Sequence, residues 1–139
     1  SRFIDGGGYK GVRDLEETSL FNAIKNVKNS NDSVFGMLFS IIFNKFLKIL
    51  FKTSLTDITS GFIVGKKEYF KKESFINANY GDYFIYLVSD FIKNKVDIIE
   101  IGYICETRMF GTSKTASNIF QLIRRGIPYI KVAIKIRKK

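Results

Sequence analysis

A chain of 139 residues with 23 Lys and Arg against 13 Asp and Glu carries a formal charge of +10. That excess points to an anionic partner: nucleic acid, a phosphate-bearing substrate or an acidic membrane surface. At 45% hydrophobic and 15% aromatic it is no disordered tail and can bury one modest core, while the absence of histidine and a lone Cys105 exclude His-based triads, His metal sites, an internal disulfide and cysteine-cluster zinc.

The chain opens on SRFIDGGGYKG, with no Met and no charged leader, and is expected to begin in mid-domain. Residues 5–11 form a loop, because three consecutive glycines resist regular structure. Residues 12–33 are polar; part of them, Leu15 to Val27, can be helical, and the asparagine-rich end is a loop. Val34 to Phe51 is a helix. Its polar positions Gly36, Ser40, Asn44, Lys48 and Lys52 recur every four residues, and most others are large and apolar. Such a helix is either buried in a core or laid in a membrane interface. Ser40, Asn44, Lys45 and Lys48 interrupt the run, so no transmembrane span is expected.

Ser60 to Gly65, SGFIVG, is short, β-branched and glycine-bounded, and is predicted as a strand. Residues 66–76 form a short helix. YGDYFIYLVSDFIKNK is a helix with Asp82 at the N-cap. VDIIEIGYICETR alternates as a strand, with Ile99, Ile101, Tyr103 and Cys105 on one side. Thr115 to Lys139 is a helix, a break at Gly126 and Pro128, and a basic helical end. Loop, helix, strand, helix, strand, helix is the order expected at the edge of an α/β sandwich.

Three stretches carry chemistry. In DITSGF, Asp57 can accept backbone N–H groups in an Asx turn, Thr59 and Ser60 can do likewise, and Gly61 admits close approach of a ligand. The plainer reading is a turn before a strand. In RMFGTSK, Arg108 and Lys114 flank Gly111, Thr112 and Ser113. Two cations, two hydroxyls and a flexible backbone suit a phosphate, and equally a solvated basic loop. SRFIDGGGYKG sets Arg2, Lys10 and Arg13 around glycines, without the spacing of a P-loop.

Together, SRFIDGGG, DITSGF and ETRMFGTSK resemble the second half of family-two glycosyltransferases. The nearest branch holds dolichol-phosphate mannose synthase and related polyprenyl-phosphate sugar transferases. The resemblance covers nearly the whole chain and lies in the order of the motifs. It implies an α/β partial GT-A sandwich, Rossmann-like as in nucleotide-diphospho-sugar transferases, lacking the N-terminal nucleotide-binding strands. Residues 1–118 would be the acceptor-side part of the domain, and 119–139 a basic amphipathic helical segment.

The implied reaction moves a sugar from GDP-mannose, or from a UDP-sugar, to a polyprenyl or dolichyl phosphate at the cytoplasmic face of a membrane. The enzyme would be peripheral, and this fragment inactive alone. By resemblance Arg2 and Arg108 are catalytic, handling acceptor and transition-state charge. Arg2, Arg13, Ser40, Arg108, Ser113 and Lys114 would hold the acceptor phosphate, and Asp57, Thr59, Ser60 and Gly61 would wall the site. A Mg²⁺ or Mn²⁺ ion is implied, with ligands in the N-terminal part and none in this chain. A phosphate nucleophile is already anionic, so positioning and charge neutralisation carry the chemistry.

The chain departs from the family pattern at Ile63 and Ile41, where arginines are usual, and at Leu87, where a glutamate is common. Residues 12–33 are extra. Asp82 and Asp90 are candidates to replace the glutamate, and Arg13 to replace the arginine at Ile41. Two other readings compete: a non-catalytic membrane-interface domain and a nucleic-acid-binding module. The second lacks any RRM, KH or zinc-finger pattern, so no nucleic-acid partner is expected.

Overall fold

The structure is a computed structural model that describes residues 1–9, 12–13, 20–28, 33–78, 81–106 and 119–137. In chain order they form β1 (Gly8–Tyr9), β2 (Val12–Arg13), α1 (Leu20–Lys28), α2 (Val34–Phe51), a 3₁₀ turn (Lys67–Tyr69), α3 (Lys72–Ile76), α4 (Tyr83–Lys93), β3 (Ile104–Cys105) and α5 (Ile119–Arg137). The strands make a small sheet in the order β2-β1-β3. β1 pairs antiparallel with β2, Gly8 opposite Arg13, and parallel with β3, Gly8 opposite Ile104.

Helix α2 has the predicted bounds. Ser33 sits in extended geometry and its side chain accepts the Gly36 N–H, one of the donors a helix start leaves orphaned. At the other end Lys52 turns left-handed at φ 50°, and the Thr53 N–H reaches back to the Lys48 carbonyl. Between the caps Met37, Phe43, Asn44 and Leu47 are buried, while Phe35, Ile42, Phe46 and Ile49 are exposed. By length and mean hydropathy (18 residues, 1.8) α2 does reach what a membrane span requires, contrary to the sequence expectation. Its buried face nevertheless packs within the domain.

Helix α4 supplies the centre of the core. Phe84, Ile85, Leu87, Val88 and Phe91 follow helical spacing and are all buried. Each such side chain contributes about 1.5–3 kcal/mol by leaving water. They meet Phe43 and Leu47 of α2, Ile58, and Val132, Ala133 and Ile136 of α5. A second cluster joins Tyr9, Val27 and Met37, tying the sheet and α1 to the start of α2.

Several expectations need correction. The segment 66–76 is not one helix; it splits into the 3₁₀ turn and α3. Asp82 does not cap α4 with its side chain. It already has helical dihedrals (φ −67°, ψ −15°) and not the extended ones of a capping residue; its carbonyl accepts the Ile85 N–H. Helix α5 runs unbroken through Pro128. Gly126 is its contact point with α2: an added Cβ would lie 2.8 Å from the tip of the Phe39 ring, so a larger residue would push that ring aside. Packing of Val132, Ala133 and Ile136 offsets the backbone bond that proline forfeits.

Of the two long predicted strands, the first forms no ladder and the second only the short one of β3 with β1. Residues 60–65 are not in a strand, and of the described residues 96–106 only Ile104–Cys105 is assigned as one. The exposure of 96–101 still alternates as on a pleated backbone, with Ile99 and Ile101 outward together. What is missing, among the described residues, is a strand beside them.

Candidate functional site

The chain start, the DITSGF turn and the segment before β3 meet at one place. The Arg2 guanidinium forks onto Asp57: Nε donates to Oδ2 and Nη2 to Oδ1, both at 2.7 Å. The Arg2 backbone N–H adds a third bond to Oδ2 at 3.0 Å. Nη2 also donates to Thr59 Oγ1 at 2.9 Å. Thr59 Oγ1 in turn accepts from Asn44 Nδ2 at 2.8 Å, and Asn44 Oδ1 takes the buried Ile58 N–H at 2.7 Å. Asn44 Nδ2 returns to the Ser40 carbonyl one turn back on α2. A short polar chain thus runs from α2 to the chain start.

Glu100 closes the other side. It accepts the backbone N–H groups of Thr56 and Asp57 at 2.9 and 3.0 Å, and the Thr56 hydroxyl. Ser1 Oγ lies 2.7 Å from Thr56 Oγ1. The Ser1 nitrogen donates to the Ile101 carbonyl at 2.5 Å, and the Ser1 carbonyl accepts the Tyr103 N–H at 3.1 Å, a parallel bridge that continues the β1-β3 pairing.

The pair is dry: the Arg2 and Asp57 side chains are 11% and 1% exposed. The Arg2 guanidinium stacks over the rings of Tyr9 (4.7 Å) and Phe3 (5.2 Å). Burial opposes its charge, but the bond and the charge of Asp57 outweigh burial and raise its pKa further. Beside it the Tyr103 phenol is pushed up to about 12, chiefly by burial, with Arg2 pulling the other way and Asp57 adding to the rise. Asp57 neutralises the Arg2 cation, and Glu100 adds a further acidic group. The cluster therefore fixes the geometry of two segments, and a bound anion would draw on cations beyond it.

Each sequence-predicted residue has a place. Asp57 and Thr59 are ligands of Arg2. Ser60 Oγ accepts the Phe62 N–H in a local turn. Gly61 has φ +78°, a left-handed turn that carries the chain out of the site, and its carbonyl accepts the Tyr83 hydroxyl. Ser40 contributes its backbone carbonyl. Arg13 lies in β2 opposite Gly8. Arg108, Ser113 and Lys114 lie outside the described residues, so their convergence with Arg2 is not described. Leu87 is fully buried in the core. Asp90 pairs with Lys71 at 3.0 Å on the surface.

Sequence reasoning missed Asn44, Thr56 and Glu100. Two signals were present. Asn44 is an amide inside an apolar helix, and Glu100 shares its parity with Ile98 and Val96, the inward side of the alternation. Among the described residues no three His, Cys, Asp or Glu side chains are grouped to hold a metal ion. Asp57 and Glu100 already spend their oxygens on Arg2 and on Thr56 and Asp57, so they do not fit a divalent-metal site.

Helices α2 and α5 form a second feature. Phe39 meets Gly126, the Phe43 and Tyr129 rings lie 6.3 Å apart edge to face, and Arg137 Nη1 donates to the Leu50 carbonyl. These pairs ascend together, so the helices run parallel. At about 100° per residue, exposed Phe35, Ile42, Phe46 and Ile49 fall in an arc of about 60° on α2. Exposed Phe120, Ile123, Ile127 and Ile134 do the same on α5, and both stripes face the same side of the pair. Exposed Lys45 on α2, and Arg124, Lys131 and Lys135 on α5, occupy the adjoining sectors.

No family model, no curated protein and no solved structure matches this chain.

Proposed function

We propose that residues 1–118 form the acceptor side of a peripheral glycosyltransferase, moving a sugar from a nucleotide donor to a polyprenyl phosphate at the cytoplasmic face of a membrane. Mannose from GDP-mannose is the default donor and a UDP-sugar the alternative. The observation that carries the reading is that Arg2 and the Asp57–Thr59 turn, the cores of two of the three motifs, are locked together. The segment leading to the third motif is tied to both through Glu100 and the Ser1 bridge. In this reading the clamp is a rigid floor, and Arg108, Lys114 and Arg13 supply the charge that holds the acceptor phosphate over it. The phosphate oxygen attacks the sugar's anomeric carbon as the nucleotide diphosphate leaves. The Mg²⁺ or Mn²⁺ implied by the resemblance finds no fitting ligand set among the described residues, and no step here passes through it.

The paired apolar stripes of α2 and α5 supply the membrane side. Their large apolar groups enter the headgroup boundary, and the neighbouring cations meet anionic lipid.

The test is direct. Titration of this chain with farnesyl phosphate against farnesol should give binding only for the phosphate, lost in Arg108→Ala with Lys114→Ala. The polypeptide from the complete reading frame should transfer labelled sugar to polyprenyl phosphate from one of a panel of nucleotide sugars. Equal handling of phosphate and alcohol, together with no transfer from any donor, would sink the reading.

A further inference from the structure

The backbone from Val96 to Tyr103 is laid out as a strand. Its φ angles are negative throughout, and exposure alternates from Val96 to Ile101. One edge of it is in use at one end. Ser1 donates its nitrogen to the Ile101 carbonyl and its carbonyl accepts the Tyr103 N–H, the two bonds of a parallel bridge centred opposite Gly102. The Tyr103 carbonyl then takes the Gly8 N–H, and β1 continues beside Ile104 and Cys105 in the same parallel sense.

Alternate residues of a strand offer their N–H and C=O groups to the same edge. The edge that meets Ser1 through Ile101 and Tyr103 therefore also carries the backbone groups of Ile99 and Asp97. Among the described residues the N–H groups of Ile101 and Ile99 have no partner, and neither do the carbonyls of Ile99 and Asp97. The Ile99 and Ile101 side chains beside them are 87% and 77% exposed. A bare apolar edge of this kind is a template for another strand.

We propose that this edge is filled by the polypeptide that leads into Ser1, running parallel to 97–101 and extending the sheet past the Ser1 bridge. The inference rests on the reading above, in which residues 1–118 are one part of a larger domain. Direction selects this occupant first. The backbone before a residue bridged in parallel to Gly102 points along the wall toward Glu100 and Ile99. Register selects it next. The second residue before Ser1 would donate to the Ile99 carbonyl and accept the Ile101 N–H. The fourth would donate to the Asp97 carbonyl and accept the Ile99 N–H. All four of those wall groups are open.

Other occupants fit less well. A second copy or a free peptide would compete for the edge with the chain entering Ser1 and would lose association entropy as well. A hydrocarbon chain would cover Ile99 and Ile101 but leave the four polar groups unpaired. The added strand bonds to this edge alone. The Phe62 and Tyr103 rings meet at 5.3 Å at the end of the ladder that Ser1 already fills, so segment 60–66 supplies no second edge.

The experiment uses the complete polypeptide, with the residues upstream of Ser1, and reads amide hydrogen exchange at Ile99 and Ile101 with no sugar donor or lipid added. Exchange at both is expected to be slower by about a hundredfold or more than at the same amides of the 139-residue chain. Proline in place of the second and fourth residues before Ser1 removes the donors assigned to Ile99 and Asp97. It should speed exchange at Ile99 and Ile101 by about tenfold or more. Amides that exchange as fast in the complete polypeptide as in the 139-residue chain overturn the inference, as does protection that the two prolines leave intact. Protection that fades on dilution gives the edge to a second copy, and protection that appears only with farnesyl phosphate gives it to a hydrocarbon; either result overturns the inference too. The sugar-transfer reading fails separately. Protected amides without transfer tell against that reading alone, and transfer with unprotected amides tells against this inference alone.

Discussion

Arg2 and Asp57, 55 positions apart in sequence, meet in a two-pronged ion pair with both bonds at 2.7 Å. The pair is nearly dry, so its members are costly to separate. Removing one partner from a buried pair leaves an uncompensated charge and costs about 3–5 kcal/mol. Arg2→Met and Asp57→Leu should each destabilise by that order. Asp57→Leu should cost more, because Asp57 also holds the Arg2 backbone N–H. The double variant should recover most of the Arg2 contribution, since two apolar groups leave no stranded charge. Urea melts of the four proteins check this; additive losses would show that the side chains do not act as a pair.

Asn44 sets a second expectation. It is buried, and its oxygen is the acceptor for the buried Ile58 N–H. Asn44→Leu keeps the volume but strands the Ile58 N–H and takes one of the two donors from Thr59 Oγ1, a loss of about 1–3 kcal/mol. Hydrogen exchange at the Ile58 amide should accelerate in step with the lost stability. Unchanged exchange there would remove Asn44 from the network.

Tyr103 gives a pH dependence. Burial favours its neutral phenol, raising the folded pKa from 10.0 to about 12. The contribution is fully present below pH 10 and is lost as pH rises through the folded value, because the unfolded chain gives up the proton first. Stability should therefore fall between pH 10 and about 12, and fall less steeply in Tyr103→Phe. Parallel curves for the two proteins would remove Tyr103 as the cause.

The helices were far more legible in the sequence than the sheet or the site, for physical reasons. A helix closes its own hydrogen bonds, so the apolar run from Val34 to Phe51 and the Ser33 cap suffice to place α2. A strand depends on a neighbour that local sequence does not name, so 60–65 and most of 96–106 read as strands and have no ladder. Pro128 and Gly126 are helix breakers by propensity, yet α5 continues because tertiary packing on Phe39 and the core decides. At the site, the motifs singled out Arg2, Asp57 and Thr59, but nothing local says that Asn44 and Glu100 complete the cluster. Asn44 lies in the polar stripe of α2, and the inward parity of Glu100 beside Val96 and Ile98 does not name its partners; only the long-range hydrogen bonds do.

The α2–α5 surface yields the last prediction. Its exposed apolar stripes share one side, and Lys45, Arg124, Lys131 and Lys135 adjoin them. If that side meets a membrane, binding has two separable parts. The apolar part is insensitive to salt, and each cation near an anionic surface adds about 1 kcal/mol that salt removes. Flotation with vesicles containing anionic lipid should carry the protein at low salt and much less at high salt. Lys131→Glu with Lys135→Glu should reduce binding more than tenfold at low salt and little at high salt. Phe46→Ser with Ile49→Ser should reduce it at both, while leaving the fold intact, because neither side chain belongs to the core clusters. Binding that ignores the α2 changes yet follows the charge changes would assign the surface to a soluble polyanion instead.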